Sequence, residues 1–437
     1  MRFIHKRRNA LATAMIGGLA LLMALLITSC SASPSGSSAP SEAGQTKTIK
    51  IGVLAVATGP LAANGKNMED GWNLYWEQNG TTVGGAEVQS IFEDTGGDPA
   101  IALNKANQLV TNNKVNMLVG PLSAAEGLAV ADAMNRQKVV TVMPIVSADN
   151  LTQRLDYPTI VRLAGWTSSQ TTHPFGEYVY DQGYKKVLTI GYDFAFGYEG
   201  VAGFVNTFTD KGGTISKQLW PPLGTQDYSA YIASIQQDKP DAVFVFLSGA
   251  DQLRFFKAYK EFGLLGKIQL FGGETSTDQS VLQGMGEDAL GLVTSGHFAE
   301  GRDDPATREF VDAYYKKYNK YPSYYSANMY TAARGVAEAL KSLNGDASNK
   351  DALVKALKSV NLTSTPMGPE KLDEHGNPIL NVYVRKVEMG PHGVWNVPIE
   401  TYPDVSQFWT YNIEEFLKHP VYSKTYQGNG VWPNPMP

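Results

Sequence analysis

The 437-residue chain contains one cysteine, Cys30, and six histidines, at positions 5, 173, 297, 375, 392 and 419. A single thiol excludes an intrachain disulfide framework and a multi-thiolate zinc site. The histidines are scattered and lack metal-ligand spacing. Positive charge is not in excess: 37 Lys and Arg against 42 Asp and Glu give a net charge of −5. That balance argues against a nucleic-acid binder held by phosphate contacts. Gly-x-Ser-x-Gly and His-Glu-x-x-His are both missing, which removes the commonest hydrolase signatures. After residue 29 there is no long uncharged apolar run, so nothing there is suited to span a bilayer. No short internal repeat is found, and no motif calls for a metal or cofactor.

What is present begins with an address. Arg2, Lys6, Arg7 and Arg8 precede an apolar stretch over 10–27, which ends on Ile27-Thr28-Ser29-Cys30. A charged start, an apolar run and small residues before a cut site read as a secretory signal. The alternative is an uncleaved signal anchor, for which the run is long enough. Residues 31–48 are rich in Ser, Gly, Pro and Ala and read as a flexible tether. The remainder has the apolar content of a folded protein, with 43% hydrophobic residues.

From residue 49 onward, short β-rich runs alternate with amphipathic stretches. The runs are 49–55, 88–93, 115–119, 139–143, 187–191, 242–247, 268–271 and 290–295, with a further strand over 380–387. Most lack polar alternation, as expected for strands covered on both faces. Between them Met68, Trp72, Tyr75 and Trp76 recur at helical spacing, as do Leu103, Ala106, Leu109 and Val110. Further helices are expected over 197–211, 251–262, 305–318, 324–343 and 349–359. The alternation predicts an α/β protein with mostly parallel sheets, in two similar lobes. Trp72, Trp76, Phe255 and Phe256 are expected in the core. Trp166, Tyr192 and Phe194 fit either a cleft lining or packing, and 321–325 reads as packing at a helix start.

Several strands end in small or polar turns, among them Gly120-Pro121-Leu122-Ser123, Pro144-Ile145-Val146-Ser147 and Gly272-Gly273-Glu274. Ligands of open α/β sheets bind beyond such strand ends, where helix N-termini favour a carboxylate.

These turns stand in a familiar order. Thr58-Gly59-Pro60-Leu61, Asp98-Pro99, Val119-Gly120-Pro121-Leu122-Ser123, Tyr192-Asp193-Phe194-Ala195-Phe196-Gly197, Lys239-Pro240-Asp241 and Met367-Gly368-Pro369 run in sequence over about 48–390. The set resembles the solute-binding lipoproteins of the branched-chain amino acid class of ABC importers, the type I periplasmic binding protein fold. The resemblance implies two Rossmann-like lobes joined by three hinge crossings, near Ala164, Phe298 and Leu380. Lobe one would take 48–164 and 299–379, and lobe two 165–298 and 380–437 with a C-terminal extension. Residues 1–29 would be a lipoprotein signal peptide and 30–47 a tether, with Cys30 acylated.

By the same resemblance a ligand carboxylate would meet Ser123, Ala124 and Ala125 after one strand and Val146 and Ser147 after the next. Ala124 stands where the family commonly has Ser, and Ser248 where it commonly has Tyr. Phe196 would cover the ligand, with Phe194 and Trp166 nearby, and Glu274 would pair with a ligand ammonium. The implied partners are a small carboxylate-bearing solute, ABC permease and ATPase subunits, and a membrane through the lipid anchor, with no nucleic acid. The expected ligand is a branched-chain or similar apolar amino acid; an aromatic carboxylic acid and small amides or urea are the alternatives. A sensor subunit and an extracytoplasmic hydrolase are the competing roles.

Overall fold

The computed structural model describes residues 47–425. The expected signal segment, Cys30 and the tether up to residue 46 lie outside them. Strand β1 (Lys47–Ala55) is the centre of a six-stranded sheet with β2 (Thr82–Val83), β3 (Ala86–Asp94), β4 (Met117–Val119), β5 (Thr141–Val142) and β6 (Ile160–Val161). Their order is β2-β3-β1-β4-β5-β6, parallel except for the β2–β3 pair. The second sheet holds β7 (Lys186–Gly191), β8 (Thr214–Leu219), β9 (Ala242–Phe246), β10 (Gln269–Gly272), β11 (Val293–Gly296), β12 (Asn361–Leu362), β13 (Glu370–Leu372), β14 (Pro378–Gly390) and β15 (Gly393–Val405). There β8, β7, β9, β10 and β11 are parallel, and β14 joins β11 antiparallel. This is the two-lobed α/β architecture expected from the alternation.

Helices α1 (Ala62–Asn79), α2 (Pro99–Thr111) and α3 (Ala124–Arg136) follow strands of the first sheet. Helices α4 (His173–Asp181), α5 (Ala195–Asp210), α6 (Ser229–Asp238), α7 (Gly249–Glu261) and α8 (Gln279–Met285) serve the second. The chain then supplies α9 (Pro305–Tyr318), α10 (Tyr324–Ser342) and α11 (Lys350–Lys358). Of these α10 packs on α1 and α11 on β6, so this later segment belongs with the first sheet. Helix starts follow local chemistry. Asp98 and Asp304 each accept two first-turn N–H groups ahead of a proline at N1, a cap contributing about 1 kcal/mol. Met68, Trp72, Tyr75 and Trp76 all point into the core, each stabilising it by roughly 1.5–3 kcal/mol.

Some elements depart from the sequence expectation. Strand β8 reads Thr-Ile-Ser-Lys-Gln-Leu and lies at a sheet edge, half exposed, so it has no continuous apolar run. Strand β15 contains Pro398 and Pro403; it pairs only with β14, and an edge position tolerates residues without an N–H. The stretch beyond Val405 folds over the second lobe: Phe408, Phe416 and Tyr422 pack with Ala202, and α12 (Ile413–Lys418) closes it.

The three passages between sheets are tied to one another. The Ala164 N–H donates to Glu370 Oε1 (2.6 Å), joining the first crossing to the segment before the third. Arg162 Nη1 donates to Asn377 Oδ1 (2.7 Å) at that third crossing. At the second, Arg302 bonds the Tyr383 hydroxyl and the Thr365 carbonyl. Among the described residues no helix is long and apolar enough to cross a membrane.

Candidate ligand-binding site

A small cavity of about 30 Å³ lies between the strand ends of the two sheets. The first lobe contributes Leu61 before α1, Leu122, Ser123 and Ala124 at the start of α3, and Ile145 and Ser147 after β5. The second lobe contributes Tyr192, Phe194 and Phe196 after β7, Leu223, and Ser248 after β9. Tyr324 and Tyr325, at the start of α10, complete the wall.

The polar groups of the first lobe are pre-set. Ser123 caps α3: its hydroxyl accepts the Glu126 N–H (3.2 Å), and the Glu126 carboxylate accepts the Ser123 N–H (2.8 Å). The hydroxyl hydrogen remains available, and the Ala124 and Ala125 amides begin the helix, where no intrahelical carbonyl can reach them. Ser147 Oγ lies 2.9 Å from the Ser168 hydroxyl, which also lies 3.0 Å from the Ser147 carbonyl, so the Ser168 side chain holds this loop by two contacts. Gly127 lets the two loops meet, since a Cβ there would lie 2.2 Å from Val146 Cγ1. Arg162 fixes the second loop from behind, with Nε on the Val146 carbonyl and Nη2 on that of Ala148.

The opposite wall is aromatic. Tyr192 and Phe194 stack with centroids 5.2 Å apart, Phe194 and Phe196 at 6.2 Å, and Phe196 lies 4.5 Å from Phe246. The Tyr192 hydroxyl donates to the Ser248 carbonyl (2.8 Å) and also lies 3.0 Å from Asp251 Oδ2. Burial, and then Asp251, raise its pKa, so it stays a phenol. Tyr324 and Tyr325 stack at 4.0 Å, and burial raises both hydroxyls as well.

Ser123, Ala124, Ser147, Phe194, Phe196 and Ser248, all singled out from sequence, therefore meet at one cavity. The other four are placed elsewhere. Ala125 is partly exposed on α3 and does not face the cavity lining, and Val146 is buried against Gly127. Trp166 is fully buried behind the wall, its ring 6.4 Å from Phe196, 5.7 Å from Tyr324 and 5.4 Å from His297.

Glu274 is the largest departure. It is 0% exposed and outside the lining. Its Oε1 accepts from Arg385 Nη1 (2.7 Å), while Oε2 accepts the His297 N–H and lies 2.9 Å from His297 Nδ1. Burial would raise its carboxyl, but Arg385 and then His297 outweigh it and hold the pKa below its usual value. The ammonium partner expected from a ligand is thus supplied internally. Arg385 was hidden from sequence reasoning because the antiparallel pairing of β14 with β11 brings it opposite Thr294. Tyr324 and Tyr325 were also missed as lining. The cue was Ser323, which caps α10 and aims its first aromatic pair at the cleft.

The family model for periplasmic binding proteins matches residues 48–391. A "Leu/Ile/Val-binding protein homolog 6" from Brucella melitensis is 32% identical over 361 residues, covering 81% of this chain and 91% of the relative. An ABC transporter substrate-binding protein from Sphaerobacter thermophilus is 32% identical, covering 83% of this chain and 99% of that one, with a TM-score of 0.77. A solute-binding protein of an ABC transporter from Rhodopseudomonas palustris, solved with 3,4-dihydroxybenzoic acid, is 31% identical, covering 82% and 98%, with a TM-score of 0.79.

Proposed function

The chain belongs to the periplasmic binding protein family, as an extracytoplasmic substrate-binding component of an ABC transporter and not an enzyme, and from that premise we propose that its ligand is an aromatic carboxylic acid. The observation that carries this reading is the charge-free wall: among the described residues, no Asp or Glu lines the cavity. Glu274, the acid expected to receive an α-ammonium group, is engaged by Arg385 and His297. A buried ammonium without a counter-charge is costly, whereas a carboxylate is served by hydroxyl and amide donors at a helix N-terminus. In this reading the carboxylate bonds the Ser123 hydroxyl, the Ala124 amide and the Ser147 hydroxyl. The ring lies against Phe194, Phe196 and Tyr192, with Ser248 at the edge and Trp166 supporting Phe196. The bound 3,4-dihydroxybenzoic acid of the Rhodopseudomonas palustris relative favours the same class.

The second reading is an apolar amino acid, favoured by the name of the Brucella melitensis relative. A thermal-shift screen separates them. A ligand present at 100 times its Kd stabilises the folded state by about 2.7 kcal/mol. Benzoic and hydroxybenzoic acids are expected to raise the melting temperature, and leucine, isoleucine and valine to leave it unchanged. The reverse pattern would restore the amino-acid reading.

Closure of the two lobes on the ligand would present it to permease and ATPase partners, a ligand-biased two-state change. We further propose that Cys30 becomes the acylated first residue and the membrane attachment. Cys30→Ser is then expected to release the protein from the membrane fraction.

A further inference from the structure

We infer that Asn64, Ser248 and Tyr325 form a reader for a ring hydroxyl, so that the protein prefers hydroxylated benzoic acids to benzoate itself. This deepens the aromatic-acid reading above and rests on it.

The three residues come from three separate elements: the first turn of α1, the residue capping α7, and the second residue of α10. They converge on one oxygen. Ser248 Oγ lies 3.3 Å from Asn64 Nδ2 and 3.0 Å from the Tyr325 hydroxyl. Ser248 and Tyr325 are part of the cavity wall, and Asn64 is fully buried beside them.

Hydrogen-bond accounting leaves this corner incomplete. The Asn64 amide donates to Ser248, but its carbonyl oxygen, Oδ1, is buried and receives no hydrogen bond. Tyr325 is bonded to the Ser248 and Tyr324 hydroxyls, so this chain of three O–H groups closes two bonds and keeps one hydrogen to donate. The corner therefore offers an acceptor and a donor together. Gly249 supplies the turn beside it: its φ is +57°, a left-handed conformation that favours glycine.

A phenolic hydroxyl both donates and accepts, and so completes the set. A ring C–H does neither, and leaves buried polar atoms without partners, a situation that sites built for a hydroxyl penalise strongly. A carboxylate would set acceptor against acceptor at Asn64 Oδ1. The carboxylate therefore belongs at Ser123 and Ser147, beside the amide donors at the start of α3, and the hydroxyl at Asn64, Ser248 and Tyr325.

Isothermal titration of the purified protein with benzoate, 3-hydroxybenzoate and 4-hydroxybenzoate tests this. The better hydroxy acid is expected to bind at least tenfold more tightly than benzoate. Tyr325→Phe, which removes one oxygen, and Asn64→Ala are each expected to cut that ratio below about threefold, chiefly by weakening the hydroxy acid, with melting temperatures confirming that both variants fold. Equal affinities in the unmodified protein, or a ratio preserved in both variants, would overturn the reader while leaving the aromatic-acid reading intact. Failure of all three acids to bind would overturn both.

Discussion

The cavity wall offers hydroxyls, amide N–H groups and aromatic rings, whereas the layer behind it holds ionisable side chains. Behind the Trp166 ring sit Glu274, Arg385 and His297, all essentially unexposed. Behind the Ser147 loop sit Arg162, Asp149 and Glu199, equally buried. The wall lines the cavity; the ionisable layer faces the crossings between lobes. His297 continues the layer through Asn328, whose amide reaches the Pro144 carbonyl at 2.9 Å, beside the Ser147 loop. The difference teaches that ionisable residues near a cleft need not be ligand contacts. Here they fix the backbone that carries the donors.

The largest expected effect comes from breaking the ionisable layer. Arg385→Met strands Glu274 in the interior and is expected to destabilise the fold by about 3–5 kcal/mol, measured by urea unfolding. Adding Glu274→Gln to it should restore much of that loss. A loss below about 1 kcal/mol in the single variant would show that the pair does not hold the crossings.

The next effect is a pH dependence. Burial pushes Glu370 up to about 8 against the Ala164 N–H bond, and Glu300 up to about 7 despite the bond from Gln279. Unfolded, both titrate near 4.5. Between these values the folded chain keeps protons that the unfolded chain has lost, so stability falls as pH rises from about 4.5 to about 8. Glu370→Gln should flatten the upper part of that profile. An unchanged slope would mean that Glu370 is not held protonated in the fold.

Changes at the wall should act on binding and leave stability nearly intact. Ser147→Ala removes one donor to the carboxylate, and about a tenfold loss of affinity for 4-hydroxybenzoate is expected, read by titration calorimetry. The smallest effect should come from Glu274→Gln. It weakens the layer behind the wall, yet the ratio of aromatic-acid to leucine affinity should stay within about threefold. A large change in that ratio would move Glu274 into the ligand's first contacts.

Much of this was legible in the sequence because it depends on local pattern. Buried parallel strands announce themselves as short apolar runs, as in Ala242–Phe246. Caps such as Asp98-Pro99 mark where helices begin. The loops holding Ser123 and Ser147 were legible for the same reason, since a strand end followed by a helix start is a local feature. What escaped depends on partners distant in the chain. Arg385 reaches Glu274 across 111 residues, and Tyr325 reaches Ser248 across 77. No periodicity reports such pairings. Strand β15 escaped because its prolines argue against a strand until an edge position is known.

The central claim is that the ionisable layer lies behind the wall and takes no part in holding the ligand. A crystal structure of the protein with 3,4-dihydroxybenzoate tests it most directly. The account predicts the carboxylate within hydrogen-bond distance of Ser123, the Ala124 amide and Ser147, with Glu274 still bound to Arg385. A Glu274 side chain released from Arg385 and bonded to the ligand would contradict it.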